Sequence, residues 1–394
     1  MNDTLQTLMR EATRLTQAGR LGEATQAIQR ALGGAADNTS ATASIDREAL
    51  ILDGCVFEAD ARPTAAHSQQ QSRQRNADAD ADADVVAHPD SFTSASHSHA
   101  GLTRRYKLYS PPLPSGQLPT ALVVMLHGCT QNPDDFAVGT GMNALAREQG
   151  FMVLYPEQAK DANPQRCWNW FKHNHQRRGS GEPALIASLT QQLVQQHGIN
   201  PRRVYIAGLS AGGAMAAIVA AAYPDVFAAA GVHSGLPAGC ATNVAEAMAQ
   251  MQSGAVGGGI HSGLGSKPLK QHQHQSVPTI VFHGDQDHTV NPRNGERVLA
   301  AALASQAHGG ASGSTAAALP GTAAQGVSAR GRRYTRTAYS DSSGAPLAEH
   351  WVIHGAGHAW SGGQSSGSYT DRTGPDATRE MLRFFFSQPH GQTH

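Results

Sequence analysis

The residues best suited to chemistry sit in the pentapeptide Gly208-Leu209-Ser210-Ala211-Gly212. The apolar run Arg203-Val204-Tyr205-Ile206-Ala207 precedes it, and the small-residue run from Ala214 to Ala222 follows. Strand, tight turn and helix in that order, with a serine at the apex of G-x-S-x-G, make a nucleophile elbow. The flanking glycines let the backbone bend with no Cβ in the serine's way. The hydroxyl then stands at the positive end of a helix. A Gly/Ser turn without chemistry has the same five letters; the strand before and the helix after point to Ser210 as a nucleophile.

A serine hydroxyl attacks poorly unless a base takes its proton, and the base needs a carboxylate to orient it. With an elbow serine, acid and then base are expected further along the chain. One apolar segment ends Val281-Phe282-His283-Gly284-Asp285-Gln286-Asp287-His288, and a later one ends Trp351-Val352-Ile353-His354-Gly355-Ala356-Gly357-His358. Asp287 is the expected acid because it lies in the loop beyond the strand end. Asp285 competes, or caps the turn. His358 is the expected base, on a loop that Gly355 and Gly357 let swing toward Ser210. His354 is expected to end its strand, and His283 and His288 to be hydrogen-bonded neighbours. Two backbone donors are expected for a developing oxyanion, the N–H of Ala211 and that of Cys129 after Leu126-His127-Gly128. His127 reads as a brace for that loop. A nucleophilic Cys129 is the alternative, but no base-rich context marks it.

Positioning these groups requires a sheet. Strands are expected over residues 103–109, 121–127, 151–155, 203–209, 227–233, 278–283 and 350–354. Helices are expected over 141–149, 183–197, 211–222, 243–252, 293–304 and 376–387. Continuous apolar strands alternating with helices imply an α/β fold, a mostly parallel sheet covered on both faces. Right-handed crossovers make it doubly wound, with chemistry at the carboxyl ends of the strands. This domain is expected over 101–390, with low-complexity insertions near 253–276 and 306–330. Residues 1–34 read as a helical hairpin, similar in its second half to part of a tetratricopeptide unit and able to contact a partner or granule. Residues 35–100, rich in Ala, Asp, Ser, Gln and His, read as a disordered linker.

In order along the chain come His127-Gly128-Cys129-Thr130-Gln131, Cys167-Trp168-Asn169-Trp170, Gly208 to Gly213, Gly357-His358-Ala359-Trp360 and Thr373-Gly374-Pro375-Asp376-Ala377. Together they resemble the poly(3-hydroxybutyrate) depolymerase family of esterases, an α/β-hydrolase group that includes feruloyl and acetyl-xylan esterases. The resemblance implies a serine esterase with nucleophile Ser210, acid Asp287, base His358, an oxyanion hole at Cys129 and Ala211, and no metal or organic cofactor. The implied partner is an ester substrate, first a 3-hydroxyalkanoate oligomer or polymer, second an acetyl or feruloyl ester of a polysaccharide. Trp168, Trp170 and Trp360, beside these motifs, are expected to bind substrate by lining a cleft, with core packing as the alternative. Cys129 and Cys167 either pair or remain free thiols. Family habit implies export, often with a separate polymer-binding domain, and the chain carries no such pattern.

The chain has 394 residues, with 30 basic and 30 acidic side chains. That balance gives no reason to expect nucleic acid as a partner. No apolar run is long enough for a membrane span. The four cysteines include no C-x-x-C pair. Many of the 20 histidines lie in polar stretches such as Gln271-His272-Gln273-His274-Gln275, which read as solvated loops rather than metal sites. The chain start has no secretory pattern, which argues for a cytoplasmic, reducing location against the family's export. A binding protein with an inactive hydrolase domain is the reading from another class.

Overall fold

A computed structural model describes residues 90–254, 277–306 and 320–388. The helical hairpin expected over 1–34 lies outside them, as do most of the linker and the centres of both insertions. In chain order the main elements are β1 (Ser91–His99), β2 (Leu102–Ser110), β3 (Leu122–Leu126), α1 (Pro133–Thr140), α2 (Met142–Gln149), β4 (Met152–Pro156), α3 (Gly181–Gln196), β5 (Val204–Leu209), α4 (Ala211–Ala222) and β6 (Ala229–His233). There follow α5 (Val244–Ser253), β7 (Thr279–Gly284), α6 (Arg293–Gln306), β8 (Thr322–Val327), β9 (Arg333–Ser340), β10 (Pro346–Ile353), the short β11 (Trp360–Ser361) and β12 (Thr370–Asp371), and α7 (Ala377–Phe386).

Ten strands form one sheet in the order β1-β2-β4-β3-β5-β6-β7-β10-β9-β8. The stretch from β4 to β10 is parallel, and antiparallel hairpins close both edges. Strands β3 to β7 are buried along their whole length, as continuous apolar segments between helical layers must be. Ile206 and Val124 face α3, α4 and α5, whereas Ala207, Val123 and Phe282 face α1, α2 and α7. The doubly wound α/β fold expected from the sequence is therefore present.

Two expectations are corrected at the edges. Ser91–His99, expected within the linker, is strand β1, paired antiparallel with β2 over its full length. Residues 322–327, expected within an insertion, are β8, paired with β9. Both strands are polar and largely exposed, so they lack the apolar pattern of a central strand; hairpin pairing defines them instead.

Candidate active site

The turn between β5 and α4 sharpens at Ser210, whose φ of 57° and ψ of −121° no regular element uses. Strain of this kind is of order 1–3 kcal/mol and persists only where neighbours enforce it. Here Ser210 N–H donates to the His233 carbonyl at 2.9 Å, and the Ser210 carbonyl accepts from Ala214 N–H at 2.9 Å. The two elbow glycines are sterically required. A Cβ on Gly208 would lie 2.4 Å from the Gly212 carbonyl carbon, and one on Gly212 would lie 2.1 Å from the Leu126 oxygen. The elbow thus packs backbone to backbone against the end of β3.

The loop after β7 buries Asp287 to 3% exposure. Its Oδ1 accepts from the backbone N–H groups of Thr289 at 3.0 Å and Val290 at 2.8 Å. Its Oδ2 faces His358 Nδ1 at 2.7 Å and His283 Nε2 at 3.4 Å. Burial opposes its charge, but hydrogen bonds from His283 and His358 outweigh burial and hold the carboxyl well below the usual carboxylate range. An ionised Asp287 requires a proton on His358 Nδ1, which leaves Nε2 as the open basic position.

His233 couples the elbow to the loop that bears His358. Its carbonyl takes Ser210 N–H, and its Nε2 accepts from Ser361 N–H at 3.0 Å, three residues beyond His358. Its ring stacks between Trp360 and Phe282, with centroids 5.2 and 5.7 Å away. Burial lowers its pKa to about 3, so it is neutral and can accept. Among the described residues no hydrogen bond joins Ser210 Oγ to His358 Nε2. Such bonds commonly tighten only when substrate arrives.

The loop after β3 closes over the elbow. A Cβ on Gly128 would lie 3.6 Å from Ser210 Cβ. Gly128 N–H donates to Gln131 Oε1 at 2.9 Å, and Gln131 Nε2 donates to Asp135 at 2.9 Å. Among the described residues neither Cys129 N–H nor Ala211 N–H has an acceptor, and Ala211, first in α4, has none within its helix. Cys129 and Cys167 are joined as a disulfide, which resolves the alternatives left by the sequence.

The tryptophans differ from the cleft-lining expectation. Trp168, Trp170 and Trp360 are 0%, 4% and 1% exposed. Trp168 Nε1 donates to the His127 carbonyl at 3.1 Å and Trp360 Nε1 to Thr378 Oγ1 at 3.0 Å. With the indole N–H of Trp168 and of Trp360 bonded and all three rings buried, they pack behind the loops. Asp285 makes a separate pair with His354, Oδ2 to Nδ1 at 2.9 Å, and also accepts from Gly355 N–H at 2.7 Å. It anchors the start of the loop that bears His358. His283 proves to be the hydrogen-bonded neighbour expected of it, bonded to the Val290 carbonyl at 2.8 Å.

Sequence reasoning missed three contributors. His233 has no motif; only strand order reveals it. Gln131 ends the segment His127-Gly128-Cys129-Thr130-Gln131, but its reach to Gly128 is visible only in the folded loop. Tyr369, whose hydroxyl lies 3.1 Å from Thr130 Oγ1, approaches the same loop from a residue 239 positions away. A cavity of about 690 Å³ lined by Tyr334, Trp351 and Arg372, among others, includes none of Ser210, Asp287 and His358. Among the described residues no cluster of His, Cys, Asp and Glu suits a metal ion, and no helix is long and apolar enough to cross a membrane.

Sheet order, elbow and loop positions define an α/β-hydrolase. Residues 104–325, more than half of the chain, match the family described as Esterase PHB depolymerase, and the chain belongs to that family. It is 34% identical over 257 residues to poly(3-hydroxyalkanoate) depolymerase C of Paucimonas lemoignei, covering 62% of this chain and 56% of that protein. It is 28% identical over 274 residues to poly(3-hydroxybutyrate) depolymerase of Ralstonia pickettii, covering 67% and 52%. It is 32% identical over 193 residues to acetylxylan esterase A of Talaromyces purpureogenus, covering 44% and 46%. The chain spans about half the length of these curated relatives. Among solved structures, acetyl xylan esterase from Aspergillus awamori superposes with a TM-score of 0.51 at 19% identity, over 75% of this chain and 99% of that one, a likeness of fold.

Proposed function

We propose that this chain hydrolyses carboxylic esters through an acyl-enzyme on Ser210. The reading rests above all on the His358–Asp287 hydrogen bond of 2.7 Å, which fixes the imidazole tautomer on the loop tied to the elbow through His233. Ser210 Oγ attacks the ester carbonyl as His358 Nε2 takes its proton. Asp287 stabilises the imidazolium. The N–H groups of Ala211 and Cys129 receive the oxyanion. His358 then protonates the leaving alcohol, and a water molecule, deprotonated the same way, releases the acid and restores Ser210.

The substrate class we infer is the 3-hydroxyalkanoate ester, as oligomer or polymer. The relatives named as depolymerases support it, because they match 62–67% of the chain against 44% for the acetylxylan esterase. The acetyl ester of a polysaccharide is the second reading, supported by that 32% identity. The Cys129–Cys167 disulfide supports an oxidising compartment, against the cytoplasmic expectation from the chain start.

A fluorophosphonate probe followed by peptide mapping tests the mechanism: the label is expected on Ser210, and an unlabelled or differently labelled protein refutes it. A panel of hydroxybutyrate oligomers, acetylated xylan and methyl ferulate tests the substrate. Preference for the oligomers is expected; preference for acetylated xylan selects the second reading.

A further inference from the structure

Glu182 is fully buried, although an unpaired buried carboxylate is expensive. Here it is saturated with donors. Oε1 accepts from Gln158 Nε2 at 2.6 Å, Asn169 Nδ2 at 2.8 Å and Arg104 Nη2 at 3.4 Å. Oε2 accepts from Asn169 N–H at 2.8 Å and faces His175 Nδ1 at 3.4 Å. Arg104 Nε in turn donates to Gln158 Oε1 at 2.9 Å. The carboxylate therefore gathers β2, the segment after β4 and the start of α3 around Gln158. The side chain of Gln158 has no freedom left, so its backbone is held as well.

That backbone faces the oxyanion loop. Gln158 N–H lies 3.1 Å from His127 Nε2, and His127 Nδ1 lies 2.7 Å from the Gly128 carbonyl. An amide N–H can only donate, so Nε2 accepts and the ring proton is on Nδ1. Nδ1–H then donates to the Gly128 carbonyl. In a trans peptide the Gly128 carbonyl and the Cys129 N–H point in opposite directions, and the described residues contain no cis peptide. Fixing that carbonyl on His127 therefore turns the Cys129 N–H the other way. A second tie acts on the same loop. Glu182 holds Asn169, and Gln158 Nε2 also donates to the Cys167 carbonyl at 2.9 Å, so the half of the disulfide that pulls on Cys129 is anchored to the same group.

We propose that Glu182 and His127 are positioning residues that set the orientation of the Gly128–Cys129 peptide, and with it the Cys129 half of the oxyanion hole. This rests on the serine-esterase reading above. The orientation is not left to the loop itself: it is imposed by a buried carboxylate acting through Gln158 on one histidine tautomer.

The test uses soluble p-nitrophenyl ester turnover, phenylboronic acid as a probe of the tetrahedral oxyanion, and thermal melting. His127→Phe removes both ring hydrogen bonds. His127→Asn keeps an N–H donor at the Nδ1 position. Glu182→Gln keeps shape and removes the charge. Losing one oxyanion donor commonly lowers kcat by about 10²- to 10³-fold. A misaligned donor is expected to lower it by about 10- to 100-fold in His127→Phe and Glu182→Gln, with KM within about twofold and phenylboronic acid binding weakened in proportion to kcat. His127→Asn is expected to retain at least about tenfold more kcat than His127→Phe. The double variant is expected to lose less than the product of the two single losses, because part of the effect of Glu182 passes through His127. Folded Glu182→Gln with wild-type kcat, or losses that multiply in the double variant, would overturn the proposal. If Glu182→Gln does not fold, equal kcat in His127→Phe and His127→Asn overturns it. Failure of the esterase reading looks different: the wild-type protein would then leave Ser210 unlabelled by fluorophosphonate, whatever these variants do.

Discussion

His233 holds Ser210 and Ser361 at once, its carbonyl on the Ser210 N–H at 2.9 Å and its ring nitrogen on the Ser361 N–H at 3.0 Å. One residue at the end of β6 thereby sets the distance between the elbow and the loop that delivers His358. The ring must be neutral to accept, and burial keeps it so. Replacing His233 with Phe preserves the stacking on Trp360 but leaves Ser361 N–H buried without a partner. We expect kcat to fall about tenfold or more, with a stability loss of about 1–3 kcal/mol, read from kinetics and a urea titration. Unchanged kcat would show that the loop bearing His358 is placed by other contacts.

Asp287 and Asp285 predict opposite outcomes. Asp287→Asn removes the acceptor that fixes His358 Nδ1–H, and kcat is expected to fall on the order of 10⁴-fold. Asp285→Asn loosens only the His354 pair and the start of the loop, so a loss under about tenfold is expected. Steady-state turnover of the two variants checks both; the reverse ranking would move the acid to Asp285.

Acid should destabilise the fold. The unfolded chain protonates histidine near pH 6.5, whereas burial lowers His127 to about 4 and His233 to about 3. Between those limits the unfolded state binds more protons, so stability present at neutral pH is lost as pH falls below 6.5. The loss is about 1.4 kcal/mol per unit for each group. Asp287, also held low, adds the same sign as pH falls below the usual carboxylate range. A urea midpoint clearly lower at pH 4.5 than at pH 7 is expected; an equal or higher midpoint contradicts the neutral assignment of both rings.

Gly212 leaves no room for a side chain, because an added Cβ meets the Leu126 oxygen at 2.1 Å. Neither backbone can yield, since one belongs to α4 and the other to β3. Gly212→Ala should fail to give folded protein, measured as soluble yield and circular dichroism. A folded, active Gly212→Ala would mean the elbow packs differently against β3.

How much of this was legible in the sequence follows from what each element depends on. The β5–Ser210–α4 unit is local: apolar strand, glycine-flanked serine and small-residue helix announce it, and the expected helix 211–222 is the observed α4. Central strands could be read because burial on both faces makes them continuously apolar. Strand β1 could not, since Ser91–His99 is polar and shows itself by its pairing with β2 rather than by an apolar pattern. The tryptophans misled because indole beside a motif looks the same whether it lines a cleft or fills the space behind a loop. The place of Asp287 in the loop beyond the strand end points to it over Asp285, and Asp287 carries the hydrogen bond to His358. His233 and Glu182 needed three dimensions, because their partners lie far along the chain and no spacing rule connects them.

The most direct measurement is turnover of a p-nitrophenyl ester by wild-type protein and by Ser210→Ala, each checked for native circular dichroism. The reading of Ser210 as the attacking group predicts a fall in kcat on the order of 10⁶-fold in the folded variant. Comparable turnover by folded Ser210→Ala would contradict it.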